Sequence, residues 1–360
     1  MPFGGLSPKD KKVTKMSNKQ LNLNINPLVV LLANILNCGK NAVYKARDIA
    51  YRTIQSAIHN QSLEAMFKLT GYLSADRMLD YLHEIPYKET HRLIKRSAKN
   101  IKLPKRVKLA LDFHEKEYYG DKNHTEVMGS KGGKYVRRFL ELSCCNPPLF
   151  LNALPINQFN NNKSKLMNQF LDEFYASYKD IEIGLFLADR AFFTKDCVKT
   201  LVERNIPFIM PAVKNKAIQK LVDSYKEGKI KQKICYQFGE VEVKLAFLKV
   251  EDEVYVYATN TNYSPVKLCV LYTIRWQIET NFREQNKFMF KSRTIDFGIR
   301  YFAFAIAGIL FNAWQLTRRK LKHIKESYLY KQILIEELLR AWQAIASRRV
   351  VKNVDYFLLA

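Results

Sequence analysis

At Pro104 the spacing of apolar residues changes, and that change limits the folds open to this chain. Before it, over about 27–100, apolar side chains recur every three or four positions, as at Met78, Leu79, Leu82, Ile85 and Leu93, with almost no β-branched alternation. This is the period of a helix and predicts a small all-helical domain over 27–104. After it, Val107, Leu109, Leu111 and Phe113 alternate as a strand does, and 135–145 and 149–156 add two more apolar runs. Further on, 164–178 has helical period, 181–188 reads as buried strand, 196–204 as helix and 207–212 as strand. Strand and helix in alternation predict an α/β core spanning 105–321. Within it three β-rich stretches, 230–238, 241–250 and 253–258, predict an inserted antiparallel β subdomain over about 213–261. From 265 the chain reads as helical to about 353, with no internal repeat or low-complexity tract.

Charge narrows the partners. The chain holds 59 Lys plus Arg against 34 Asp plus Glu, a formal charge of +25, and 48% hydrophobic residues exclude wholesale disorder. Such a surplus repels itself and is best neutralised by a polyanion, which puts nucleic acid first and an anionic membrane second. Residues 1–26 are polar and basic and read as a flexible arm. In the helical region Ser74 can cap a helix carrying Asp76, and Pro86 precedes a second helix ending in Arg92, Lys95, Arg96 and Lys99. Two short helices across a tight turn suit a helix-turn-helix DNA reader or a helical hairpin with a solvated basic face.

The apolar core of 27–36 is too short to span a bilayer. The uncharged stretch 301–316 contains Asn312 and Gln315 and runs into Thr317-Arg318-Arg319-Lys320, so it reads as a core helix. No long basic amphipathic helix with an aromatic apolar face is present, which sets membrane binding aside. The cysteines, Cys38, Cys144, Cys145, Cys197, Cys235 and Cys269, form no Cys-x-x-Cys pair and no zinc spacing; they fit reduced, buried thiols in a cytoplasm.

Three acids ask for an explanation. Asp112 ends Val-Lys-Leu-Ala-Leu-Asp, and Asp189 ends Gly-Leu-Phe-Leu-Ala-Asp. Charged groups are seldom buried without a partner, and ligands of open α/β sheets collect at the C-terminal ends of strands. Each is therefore a ligand or a solvated strand end. The third is Glu279. At about 100° per residue, Tyr272, Arg275, Glu279 and Arg283 fall within roughly 80° of one another on one helix, with Ile274, Ile278 and Phe282 forming an apolar stripe. An ordinary amphipathic helix with an Arg275 to Glu279 pair gives the same pattern. His114, two residues beyond Asp112, shares its strand face and reads as a supporting or exposed residue.

Tyr-x2-Arg-x3-Glu at Tyr272, Arg275 and Glu279, preceded by Asp112 and by Asp189-Arg190-Ala-Phe, resembles the signature of prokaryotic insertion-sequence DDE transposases of the cut-and-paste type. The likeness runs over 107–314. It includes Asp-x-His-x3-Tyr-Tyr-Gly at 112–120 and the Phe-Asn-Ala-Trp ending at Trp314. It departs where the family places a Lys seven residues after its Glu: that position is Asn286, and Lys287, one further, is turned about 80° from Glu279. Arg283 is the second candidate for that role.

The resemblance implies a ribonuclease-H-like catalytic core with a β insertion, in which Asp112, Asp189 and Glu279 are catalytic and hold two Mg²⁺ ions, Mn²⁺ serving as a substitute. It implies hydrolysis of one strand at the element end, attack of the freed 3′-hydroxyl on the other strand to form a hairpin, and joining to target. It places Tyr272, Arg275, Trp276, Arg283, Lys287 and Arg190 on double-stranded DNA, with Trp276 suited to stack on a base. A homodimer in a synaptic complex follows from the two ends to be joined, in a prokaryotic, nucleoid-associated setting, and 322–360 is a candidate dimer contact. A hydrolytic nuclease of the same fold, and a domesticated DNA-binding protein that no longer cuts, share these features.

Overall fold

The computed structural model describes residues 26–320 apart from 40, 41, 72 and 131, together with 331–336 and 340. The basic arm and most of 322–360 lie outside the described residues. The chain begins with helices α1 (Asn26–Ala33), α2 (Ala46–His59), α3 (Leu63–Thr70), α4 (Ala75–His83) and α5 (Tyr87–Lys99). Local chemistry sets their ends: Ser62 accepts from the Ala65 N–H at 3.0 Å, Ser74 from the Arg77 N–H at 3.4 Å, and Gly71 closes α3 at φ +62°.

The strands are β1 (Arg106–Glu117), β2 (Met128–Gly129), β3 (Tyr135–Cys145), β4 (Pro148–Ile156), β5 (Glu182–Ala188), β6 (Phe208–Pro211), β7 (Lys233–Phe238), β8 (Val241–Val250) and β9 (Glu253–Thr259). They form one sheet in the order β2-β3-β1-β5-β6-β9-β8-β7, with β4 on the far side of β3. The β1, β5 and β6 strands are parallel; the other pairings are antiparallel. Helices α6 (Lys163–Ser177), α7 (Lys195–Glu203) and α8 (Lys216–Lys226) link β4 to β5, β5 to β6 and β6 to β7. Their Phe170, Leu201 and Ile218 share one core with Leu109, Leu111, Phe186 and Phe208. The other face carries Ala110, Leu185 and Leu187 against Leu268 and Ile278 of helices α9 (Pro265–Thr273) and α10 (Trp276–Asn286). Alternation along β1 thus feeds both cores, as a sheet covered on both faces requires.

The antiparallel strands of 233–259, read from the sequence as an inserted β subdomain, join the main sheet, β9 pairing β6 through Ile209↔Thr259. The N-terminal helices pack against the rest of the protein. Ile54, Leu93 and Ile94 share a core with Phe302 and Phe311 of helix α11 (Phe297–Lys320) and with Phe139 and Phe150 of the sheet. Over 301–315 α11 is buried on nearly every side, and the apolar faces of the N-terminal helices cover part of it. By composition α11 is long and apolar enough to cross a membrane, yet 83% of that window is buried inside the protein. Asn312 on α11 accepts from the Phe150 N–H at 2.8 Å and donates to the Phe150 carbonyl at 2.6 Å, which satisfies the open edge of β4. At 331–336 the chain is helical, and Leu334 is fully buried in the same core, so this part of the proposed dimer contact packs within the monomer.

Candidate active site

The site begins with strand register. The parallel pairing of β1 with β5 sets Leu111 opposite Ala188, so Asp112 and Asp189 follow side by side on strands about 4.8 Å apart; Asp189 stands just past the end of β5, whereas β1 runs on to Glu117, so Asp112 lies within its strand and not at the end the sequence suggested. Asp112 accepts from the Phe113 N–H at 2.8 Å. Asp189 precedes the 3-10 turn Arg190–Phe192 without a side-chain capping bond, and its charge is felt by Asp112 and Arg275.

Glu279 comes from α10, which packs through Ile278 on the sheet face that carries Ala110 and Leu187. The helix expected through 272–287 is two: α9 stops at Thr273, and the Ile274, Arg275, Gln277 and Ile278 amides bond to carbonyls three residues back. This tightened turn places Arg275 ahead of α10. Its side chain is 10% exposed and its guanidinium forks, one nitrogen on Asp112 and the other 2.9 Å from Glu279 Oε1. Tyr272 lies under it, ring centroid 5.5 Å from the guanidinium carbon. Burial opposes the charge on Arg275, but Tyr272, Asp112, Asp189 and Glu279 together hold its pKa above the ordinary value. Burial likewise raises Tyr272. Asp112 is pushed up to about 6, first by burial, with Arg275 opposing and the charges of Asp189 and Glu279 adding to the rise.

The three expected acids therefore sense one another, but the fork of Arg275 separates Asp112 from Glu279. Among the described residues no three acidic, histidine or cysteine side chains converge closely enough to hold an ion in this arrangement. Glu279 is 55% exposed and its side chain has room to turn.

The remaining expected residues divide. Trp276 is 64% exposed beside the acids, so it is no core tryptophan. Arg190 and Arg283 are exposed, Arg283 donating to Thr280 Oγ1 at 3.4 Å. Lys287 turns back to Glu284 at 2.8 Å. His114 is buried, its ring centroid 4.3 Å from that of Phe282 and 5.0 Å from that of Phe304, and burial holds its pKa well below the ordinary value. It is a neutral core histidine.

Two residues were missed. Lys116 Nζ bonds to Asn286 Oδ1, so a lysine from β1 reaches the position where one was expected on α10. Glu141, opposite Asp112 on β3, is fully buried; its Oε1 accepts from Ser143 Oγ at 2.5 Å and from Gln285 Nε2 at 2.9 Å, tying α10 to the sheet. Burial pushes its pKa up to about 8. An acid inside the apolar run Phe139-Leu-Glu-Leu was the available signal.

A family model described as the transposase DDE domain matches residues 97–307. Among solved structures, the cryo-EM structure of the piggyBac transposase synaptic complex with hairpin DNA is similar to this chain at TM-score 0.62 and 11% identity, covering 92% of this chain and 80% of that one. That likeness is one of fold. No curated protein matches.

Proposed function

The chain belongs to the DDE transposase family, and on that premise we propose that it cuts DNA at the ends of a mobile element, closes a hairpin and joins the freed end to target DNA. The carrying observation is the register that sets Asp112 beside Asp189, with Arg275 linking Asp112 to Glu279 on α10. The strand order, with β3 antiparallel beside β1 and β5 and β6 parallel on the other side, supports a ribonuclease-H-like core.

Members of this family generally use divalent metals, and the residues here fit that need in kind. The donors are carboxylate oxygens, which suit hard cations such as Mg²⁺ or Mn²⁺. The raised pKa of Asp112 comes first from burial, with the charges of Asp189 and Glu279 adding to it, and a cation would relieve both. Asp112, Asp189 and Glu279 would hold the ions, which when bound supply activation of an attacking oxygen and charge stabilisation at the leaving one. Glu279 has the exposure to leave the fork and join the two aspartates. Arg275, freed at that end, offers guanidinium donors to a phosphate at the same edge, and Tyr272 fixes its plane from below. Trp276 offers an open ring to an unstacked base, and Arg190, Arg283 and Lys287 lie exposed where backbone phosphates can be neutralised.

Two element ends must be joined, so the working form is a homodimer in a synaptic complex, acting in a prokaryotic cytoplasm. The test is cleavage of a duplex carrying the element end, with Mg²⁺, on a denaturing gel, comparing the protein with Glu279→Gln. Nicks and hairpins from the parent, with binding but neither product from the variant, uphold the reading. Nicks without hairpins point to a hydrolytic nuclease, and binding alone in both proteins to a DNA-binding protein.

A further inference from the structure

Beyond the carboxylates, β1 continues into a second cluster of charge. A cavity of about 140 Å³ opens between the end of β1, β3 and the start of α11, walled by Lys116, Glu117, Tyr118, Arg137, Ser292 and Arg300 together with apolar side chains. At roughly 30 Å³ per water it has room for a tetrahedral oxyanion. Arg137 is its deepest cation, 3% exposed. One terminal nitrogen donates to the Ile295 carbonyl at 2.6 Å, while Nε and Nη1 are buried with no acceptor among the described residues. The guanidinium is gripped between the Tyr118 and Phe297 rings, at 4.3 and 5.3 Å from their centroids.

The Tyr118 hydroxyl is also buried without a partner. A Cβ at Gly120 would overlap that hydroxyl, so the glycine of Tyr118-Tyr119-Gly120 makes room for it. Arg300 donates through Nε to the Thr294 carbonyl at 2.9 Å, and Lys116 to Asn286. None of the three cations forms an ion pair among the described residues. The acids nearby are used elsewhere or act at a distance. Glu117 on the rim bonds to Lys134 and the Tyr119 hydroxyl; Asp296 pairs with His83 at 2.5 Å; Glu126 and Asp296 reach Arg137 only through their field. Burial lowers the pKa of Lys116 to about 8, and burial followed by the charge of Arg137 lowers that of Arg300. A buried guanidinium with free donors, beside two half-buried cations, is costly unless an anion completes it.

We propose that this cavity binds a phosphate group of the DNA substrate, with Arg137 Nε and Nη1 and the Tyr118 hydroxyl donating to its oxygens and Lys116 and Arg300 supplying charge. This rests on the reading of the chain as a DNA transposase and adds a second anchor for the DNA. Lys116 ties that anchor to Asn286 on the helix that carries Glu279, so a phosphate held here sets the path of the strand relative to the catalytic edge.

The full chain is compared with Arg137→Gln, Arg300→Gln and Tyr118→Phe; the last two keep the core if the first fails to fold. Inorganic phosphate should raise the Tm of the parent more than chloride does at equal ionic strength, and the variants should lose that difference. On a duplex of element-end DNA, the slope of log affinity against log salt should fall by about 0.9 when one phosphate contact is fully lost. Folded variants that keep the parent's phosphate shift and salt slope overturn the site. A parent that leaves element-end DNA uncut while its variants still lose the phosphate shift upholds the site and overturns the transposase reading. Duplexes with and without a 5′-terminal phosphate separate the sources: a difference in affinity that the variants abolish assigns a terminal phosphate, and none assigns an internal phosphodiester.

Discussion

Glu173→Gln tests how the helical region is fastened to the sheet. Glu173 on α6 sits at a junction of three elements. His91 Nε2 on α5 lies 3.1 Å from Glu173 Oε2 and 3.0 Å from Asn152 Oδ1 on β4; Asn152 Nδ2 donates to the same Oε2 at 2.6 Å, and Lys95 lies 3.3 Å from Oε1. Burial works against the charge, but the His91 and Asn152 bonds and the field of His91 overcome it and bring the Glu173 pKa down to about 2. An unfolded glutamate titrates at about 4.3, and one pKa unit is about 1.36 kcal/mol, so the unscreened ceiling is about 3 kcal/mol. A glutamine keeps an acceptor oxygen for His91 or Asn152 and loses only the charge assistance, and hydrogen bonds to charged groups are worth about 1.5–3 kcal/mol, so the expected loss is about 1.5–2 kcal/mol.

The sign follows from linkage. The folded pKa is depressed, so the contribution is present above about pH 4.3 and is lost as pH falls toward 2. Urea unfolding of parent and variant should therefore show a gap of about 1.5–2 kcal/mol at pH 6–7 that narrows steadily below pH 4.3. Other carboxylates titrate in the same range but are shared by both proteins and cancel in the gap. A gap that is absent at neutral pH, or that stays constant down to pH 3, refutes the reasoning.

Gly308→Ala should destabilise by about 1–3 kcal/mol despite the better helix propensity of alanine, because its Cβ would meet the Phe150 ring at 2.6 Å; a higher Tm would contradict this. Asn312→Leu strands the Phe150 N–H and carbonyl and should cost about 2–5 kcal/mol in urea unfolding, with a loss under 1 kcal/mol counting against the edge-sealing role. Trp276→Ala should leave Tm within a degree or two because the ring is 64% exposed, while element-end DNA binding or hairpin yield weakens by about 5- to 150-fold, from ~1–3 kcal/mol of stacking; unchanged binding and yield would return Trp276 to a passive surface role.

The strands of 233–259 were legible almost residue by residue, because alternation and turn chemistry are local: 241–250 is β8 to its ends. Their destination was not legible. Whether a three-stranded unit stands apart or adds to the main sheet depends on β9 finding the free edge of β6, a contact that no periodicity encodes. The break at Ile274-Arg275 was hidden for the opposite reason. The local pattern favours a continuous helix, and the bond from Arg275 to Asp112, 163 residues away, belongs to the folded state.

By itself the sequence determined which residues were candidates. Acids that close apolar, strand-like runs and a helix with one charged face singled out Asp112, Asp189, Glu279 and Arg275, since side-chain period fixes the face a residue occupies. Only the tertiary structure decided who meets whom. Strand register set the two aspartates side by side, the Arg275 fork tied one of them to Glu279, and Lys116 came to Asn286 from another strand. These are pairings between elements distant in sequence, fixed by packing and hydrogen bonding across the sheet, and periodicity along a single segment carries no information about its neighbour.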